Sequence, residues 1–222
     1  MIIDDLIQGT PEWLTMRHGC CTASRLNDAL AKLKDPKKES AARANYRKEL
    51  AIERLTGLAY EHYVSDAMWH GIENEPLART EYELATGLEV NEIGLAMHDR
   101  IKWFSASTDG LIGDDGILEI KCLTPINHLD ILSSGEIPED YHWQMLGGMA
   151  CTGRQWCDFV SFDSRMPDEL KLFVKRFPRN DKLIAGMELE VEQFLSDVDI
   201  TVRKVRAGRN AIQQIHASRN CL

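Results

Sequence analysis

The stretch that decides the fold is Ser107-Thr108-Asp109-Gly110-Leu111-Ile112-Gly113-Asp114-Asp115-Gly116-Ile117-Leu118-Glu119-Ile120-Lys121-Cys122-Leu123. Its pattern predicts a strand end, a glycine-rich turn and a second strand. Side chains alternate between the faces of a strand. Leu118, Ile120 and Cys122 therefore share an apolar face, and Glu119 and Lys121 share the other. Charge on a core strand is costly unless something pairs with it. A divalent cation near Asp109 and Glu119 would be such a partner. Asp114-Asp115-Gly116 is ordinary hairpin-turn chemistry and is given no site role.

The chain has 222 residues, 44% hydrophobic and 27% charged. That suits one soluble globular domain over 1–222 with a full-sized core. No apolar run approaches a membrane span, and the N-terminal MIIDDLIQGTPEW lacks a basic stretch followed by an apolar one, so neither membrane partner nor signal peptide is expected. None of the six cysteines forms a C-x-x-C pair, which weakens zinc and iron–sulfur readings. Buried free thiols in a reducing cytoplasm are expected instead. The net charge of −9 is not the footprint of a protein that binds nucleic acid by bulk charge. It leaves room for a local basic lining, and it fits a site that gathers carboxylates.

Outward from the hairpin, the pattern is helices, then a sheet with a helical insertion, then a helix: α/β or α+β with a mixed sheet. Thr10-Pro11-Glu12-Trp13 opens a short helix ending near Gly19. Thr22 is placed to cap a second, with Leu26, Ala29, Leu30 and Leu33 inward. Lys32–Glu39 reads as a polar loop, with a basic arm near phosphates as the functional alternative for Lys32–Lys38. Ser40–Thr56 is a third helix, with Tyr46, Leu50 and Leu55 inward. A fourth starts at Ser65, and Pro76 should kink or restart it. Leu88–Met97, Trp103–Ser107 and Ile117–Leu123 suggest an antiparallel meander. Pro125–Leu132 and Ile137–Cys151 read as helices, Gln155–Phe162 and Leu170–Phe177 as strands. A final helix carries Leu183, Met187, Val191, Phe194, Val198 and Val202. The tail after Gly208 is basic and reads as frayed.

Asp109 and Glu119 can hold Mg²⁺ through hard oxygens, with the Ile120 backbone carbonyl as a further ligand. Such a metal lowers the pKa of a bound water and neutralises charge growing on a phosphate. Lys121 beside it can orient or help deprotonate that water, or stabilise the developing charge. The implied chemistry is phosphodiester hydrolysis. E-x-K alone is common; Asp109 in a Thr-Asp-Gly turn before an apolar strand makes the set more specific. On the residues alone the plainer readings are favoured: Arg17 caps its helix, Ser24 sits in a first turn, Glu75 is a solvated acid and Gln144 a plain polar helix residue. His62, His70, His98, His128 and His142 show no metal spacing.

This strand–turn–strand resembles the core of the PD-(D/E)XK nuclease superfamily, and most closely the branch of phage lambda-type exonucleases and YqaJ-like viral recombinases. Four blocks agree in order: Trp13-x-x-x-Arg17-x-Gly19 with Thr22-Ala23-Ser24; Gly71-x-x-x-Glu75; Ser107-Thr108-Asp109-Gly110 leading to Leu118-Glu119-Ile120-Lys121-Cys122; and Gln144 within Tyr141–Cys151. The resemblance implies that Asp109 and Glu119 are metal ligands and Lys121 the catalytic lysine. It implies that Glu75 supports the metal or its waters, that Gln144 holds the lysine or water, and that Arg17 and Ser24 bind a terminal 5′-phosphate. It also implies two Mg²⁺ ions per site, with Mn²⁺ as a substitute, and a homotrimeric ring around duplex DNA ends. A single-strand annealing protein would receive the product strand, in a bacterial or phage-infected cytoplasm. The expected activity is 5′-to-3′ digestion of one strand, leaving 3′ overhangs for recombination. The alternatives are an endonuclease or 3′-directed exonuclease on the same core, or a non-catalytic DNA-binding or annealing module. One departure stands out: where many such nucleases carry Q-x-x-x-Tyr, the position four after Gln144 is Gly148.

Overall fold

The computed structural model describes residues 1–35, 37–60 and 65–219. In chain order the elements are β1 (Ile2–Ile3), α1 (Pro11–Arg17), β2 (Cys21–Thr22), α2 (Leu26–Ala29), α3 (Ala41–Thr56), α4 (Asp66–Thr86), β3 (Val90–Asn91), β4 (Leu95–Met97), β5 (Phe104–Ala106), β6 (Gly110–Ile112), β7 (Gly116–Cys122), α5 (Pro125–Ser134), α6 (His142–Thr152), β8 (Trp156–Phe162), β9 (Leu172–Pro178) and α7 (Asp181–Arg219). Short 3₁₀ turns at Ala23–Arg25 and Glu139–Tyr141 lead into α2 and α6. This is the mixed α/β class expected.

The strands form two sheets, ordered β1-β4-β5-β2 and β3-β6-β7-β8-β9. In the larger sheet β7 pairs antiparallel with β6 and parallel with β8, which pairs antiparallel with β9. The expected meander is corrected here: β4 and β5 pair in the smaller sheet, while β3 and β6 belong to the larger. The strand read over Leu88–Met97 is divided at Glu92–Gly94. The N-terminal segment crosses there so closely that a Cβ on Gly94 would lie 2.3 Å from the Leu6 carbonyl oxygen.

β7 is the centre of the molecule, covered on both faces. Leu118 and Ile120 pack with Ala78 and Tyr82 of α4 and Val160 and Phe162 of β8. Ile117, on the opposite face, joins the main core with Met145 and Met149 of α6 and Met187, Val191 and Phe194 of α7. Each fully buried side chain of this size contributes about 1.5–3 kcal/mol. The acid–lysine face is therefore not a solvated one.

Helix starts follow the sequence where a hydroxyl meets the first turn. Thr10 accepts from the Trp13 N–H, Ser40 from Arg43 and Ser65 from Met68. Thr22 does not cap; it lies in β2, bonded to β5, and Leu33 is exposed beyond the end of α2. Pro76 does not break α4, which runs from Asp66 to Thr86. The missing proline N–H is outweighed by anchoring on its C-terminal side: Ala78 and Tyr82 are fully buried, and the Tyr82 hydroxyl donates to Asp158 at 2.8 Å. On α7 the inward residue is Ile184 rather than Leu183, and the helix continues past Gly208 to Arg219. In the Lys32–Glu39 stretch, Lys32 bridges to Glu39 through the backbone and its ammonium binds Glu190 at 2.6 Å. Cys20, Cys21, Cys122, Cys151 and Cys157 are free thiols. Pro36, His62 and Cys221 lie outside the described residues. Among the described residues, no helix is long and apolar enough to cross a membrane.

Candidate active site

The site forms where β6 stops and β7 continues. The Asp109 N–H donates to the Leu118 carbonyl at 3.1 Å, the last rung between the two strands. Two residues further along β7, the Ile120 backbone groups point to the same edge but meet no strand. The Asp109 carboxylate takes that place, accepting from the Ile120 N–H at 2.6 Å. The Ile120 carbonyl lies on this same open edge. On the face of β7 toward α6, Lys121 Nζ donates to Glu119 Oε1 at 2.6 Å, and the Gln144 amide donates to the same oxygen. Lys121 Nζ also sits 5.3 Å from the centroid of the Tyr141 ring.

α6 can bring Gln144 so close because Gly147 and Gly148 face its neighbours. A Cβ on Gly148 would lie 2.8 Å from Ile117 Cδ1 and 3.2 Å from Thr108 Cγ2. A Cβ on Gly147 would lie 2.6 Å from Leu26 Cδ1 and 3.0 Å from Ala23 Cβ. Gly148, where related motifs carry tyrosine, thus lies close against Ile117 of β7 and Thr108. The aromatic group next to the lysine comes from the other side of Gln144, as Tyr141.

Glu75 reaches the site from α4. Its Oε1 accepts from Arg79 Nη2 at 2.7 Å, and Arg79 Nη1 binds Glu92 at 2.8 Å. Burial, then the charge of Asp109, push Glu75 up to about 7, with Arg79 pulling it down. Burial pushes Glu119 up to about 7 as well, with Lys121 opposing and Asp109 and Glu75 reinforcing. Burial also raises Asp109, against the pull of Lys121 and the Ile120 N–H. For Lys121, burial disfavours the ammonium, but Glu119 and Asp109 outweigh it and hold the pKa above its ordinary value. The three acids thus feel one another, and one lysine does not neutralise them.

Among the described residues, no group of three or more His, Cys, Asp or Glu side chains is gathered tightly enough to hold an ion by itself. The end of β7 instead offers two carboxylates, Asp109 at its open edge and Glu119 on the adjoining face, and the Ile120 carbonyl. Hard oxygens of this kind, completed by water, suit Mg²⁺. The crowding that raises the acids is what a bound cation would relieve, so the residues fit a divalent metal.

A second feature lies beside the 3₁₀ turn Ala23–Arg25. A cavity of about 420 Å³ is lined by Arg17, Thr22, Ser24, Arg25, Tyr46 and Glu53, among others. The Arg17 guanidinium stacks on the Trp13 ring, 4.0 Å from its centroid. Trp13 is fixed by its ring N–H, which donates to the Gly94 carbonyl at 2.8 Å and the Ser107 hydroxyl at 3.2 Å. Arg17 does not cap α1; the last turn is closed by the His18 N–H on the Thr15 carbonyl. Ser24 and Thr22 share a hydroxyl–hydroxyl contact of 3.3 Å. Arg25 is committed to Asp28 and Glu49. The cavity and the β7 edge are joined through packing: Ala23, next to Ser24, touches α6, which carries Gln144.

The structure therefore brings Glu119, Lys121 and Gln144 into direct contact, holds Asp109 on the adjacent Ile120 N–H, sets Asp109 and Glu75 within electrostatic reach of that cluster, and gathers Arg17 and Ser24 at the separate cavity. Sequence reasoning missed Arg79 and Tyr141. Arg79 had a legible signal, lying four residues after Glu75 on a helix. Tyr141 had none, because its closeness to Lys121 depends on how the Glu139–Tyr141 turn meets the sheet.

A family model of the YqaJ-like viral recombinase domain matches residues 12–155. The chain is similar to the crystal structure of an alkaline exonuclease (LHK-Exo) from Laribacter hongkongensis, at 42% identity and a TM-score of 0.85, with 91% of this chain and 100% of that chain covered. The same enzyme in complex with dAMP matches equally well. A phage related exonuclease from Haemophilus somnus 129PT shares the fold at 17% identity and a TM-score of 0.63, covering 86% of this chain and 99% of that one. No curated protein matches the chain. The chain belongs to the YqaJ-like viral recombinase domain family, built on the PD-(D/E)XK core, and is an enzyme of that nuclease class.

Proposed function

We propose that this exonuclease-class enzyme hydrolyses one strand of linear double-stranded DNA, working 5′ to 3′ and leaving 3′ overhangs for recombination by strand annealing. The observation that carries the reading is the cluster at the end of β7: Asp109 on the Ile120 N–H, and Lys121 and Gln144 on one oxygen of Glu119. Asp109, Glu119 and the Ile120 carbonyl would hold Mg²⁺, or Mn²⁺ in its place, with Glu75 supporting through water; two ions per site belong to this reading. Such a metal supplies an activated water and neutralises phosphate charge. The chain's own groups do the rest. Lys121, paired with Glu119 at 2.6 Å, would orient or help deprotonate the reacting water, or stabilise the charge growing on the phosphate. Gln144 fixes the Glu119 carboxylate and, through it, the lysine. Arg17, which makes no side-chain hydrogen bond among the described residues, would grip a terminal 5′-phosphate by two parallel bonds, with Ser24 and nearby backbone donors assisting.

The reading includes a homotrimeric ring around DNA and a single-strand annealing partner, both supported by family membership. Digestion of a linear duplex with Mg²⁺, comparing 5′-phosphate with 5′-hydroxyl ends, tests it. Faster loss of the phosphorylated strand is expected; equal rates, or nicking of closed circles, would favour the other nuclease readings. Mass in solution tests the ring.

A further inference from the structure

Arg79 is a cation that the hydrolytic scheme leaves out. Its side chain is only 12% exposed, and its three nitrogens are used unequally. Nη2 binds Glu75 on its own helix, Nη1 binds Glu92 just past β3, and Nε is buried with no partner among the described residues. Two of these contacts join different parts of the fold. Glu75 belongs to α4. Glu92 follows β3, which pairs with β6 in the register Val90 to Ile112 and Asn91 to Leu111. β6 starts at the residue after Asp109, and a Cβ on Gly110 would lie 2.1 Å from Val90 Cγ1, so β3 leans directly on that start. The Arg79 charge also reaches Asp109 itself.

A buried arginine with an unused donor is a poor way to stabilise a fold: a plain apolar side chain would avoid the unpaired nitrogen. Its geometry is informative in another way. The rigid guanidinium fork fixes the angle between two carboxylates. One oxygen of Glu75 is occupied by Arg79, which leaves the other to turn toward Asp109 and Glu119 despite their like charge.

We propose that Arg79 is a positioning residue that aims the Glu75 carboxylate at the metal-binding edge of β7. It does so by bracing α4 against the β3–β6 edge that leads from Asp109. This rests on the proposed role of Glu75, and it acts through Glu75 rather than on the substrate.

The test is a double-mutant cycle with R79Q, E75Q and the pair R79Q/E75Q, using full-length protein. Outer-shell partners of this kind are worth on the order of 10–100-fold in activity or metal affinity. R79Q should lose that much of kcat, with KM for duplex DNA little changed. The double variant should be no slower than E75Q alone, and R79K should recover only part of the loss. Without DNA, the rise in melting temperature caused by Mg²⁺ should shrink in R79Q and E75Q alike, and E92Q should shift it less. Independent, multiplying losses in the double variant would overturn the proposal, as would a wild-type R79Q beside an impaired E75Q. A fully active E75Q would remove the role given to Glu75 and this inference with it. Should R79Q fold poorly, R79K and E92Q carry the same comparison, and unchanged Mg²⁺ shifts in both would count against it.

Discussion

The two candidate binding regions are built on opposite plans. At the end of β7, the charged groups are already engaged: Asp109 with Ile120, and Glu119 with both Lys121 and Gln144. At the cavity beside the 3₁₀ turn Ala23–Arg25, Arg17 sits over the Trp13 ring and makes no side-chain hydrogen bond among the described residues. The first region holds surplus negative charge that only part of the protein offsets. The second holds positive charge on an aromatic face, which supports a guanidinium without using its hydrogens. A cation site has to restrain acids that repel one another, and it does so with a lysine and an amide. An anion site has to keep donors available, and here an aromatic ring carries the guanidinium, although Glu53 also lines the cavity.

The contrast is broken most severely at Lys121. K121A should reduce cleavage by on the order of 10³-fold, as loss of a group that stabilises developing charge does, while binding of a labelled duplex persists. Unchanged digestion would refute the scheme. At the other region the effect should be smaller and should depend on the substrate. R17A should lower the preference for 5′-phosphate over 5′-hydroxyl ends by about 10–100-fold, the size expected for a charge-assisted bidentate pair. R17K should restore little of it, because an ammonium lacks the planar fork. A uniform loss on both kinds of end would assign Arg17 to DNA binding in general.

A third change tests how the regions are joined. In G147A the new methyl meets Leu26 and Ala23 at 2.6 and 3.0 Å, and the Ala23 Cα at 3.3 Å. Overpacking of this kind costs about 1–3 kcal/mol, against which a helical alanine returns roughly 1 kcal/mol over glycine. The expected net loss of about 0–2 kcal/mol would appear in a urea melt. Because the methyl pushes α6 from the segment bearing Ser24, both cleavage rate and end preference should fall together.

The smallest effect is one of pH. Burial and neighbouring acids hold Glu75 and Glu119 at about 7, above the ordinary 4.5. An acid raised on folding stabilises the fold fully below its unfolded pKa, and that stability is lost as pH rises through the folded pKa. The metal-free protein should thus lose stability between about pH 4.5 and pH 7, where these groups ionise. Mg²⁺ needs the ionised forms, so its stabilisation should be larger at roughly pH 8 than at roughly pH 5.5. Equal Mg²⁺ shifts at both pH values, read by thermal melting, would mean that the carboxylates at β7 are not its ligands.

Much of the candidate site at the end of β7 was legible in the chain. The alternation of Leu118, Glu119, Ile120 and Lys121 alone set which side chains share a face, because a strand allows no other arrangement. Hydroxyl caps at Thr10, Ser40 and Ser65 and the glycine ends of α3 and α4 were equally local. Pro76 shows where local rules fail: its backbone cost is fixed by sequence, but the burial of Ala78 and Tyr82 that overrides it is not.

The sequence by itself determined the strand that carries an acid–lysine pair beside Asp109, the residue types the proposed metal-assisted hydrolysis needs, since both follow from spacing along one chain. Tertiary structure alone decided that the apparent meander splits between two sheets, and that Gly148 marks a helix pressed on β7. It also decided that Tyr141 neighbours Lys121 and that Arg79 ties Glu75 to the β3–β6 edge. These depend on distances between segments far apart in the chain. Periodicity says which way a side chain points, but only packing says what it meets.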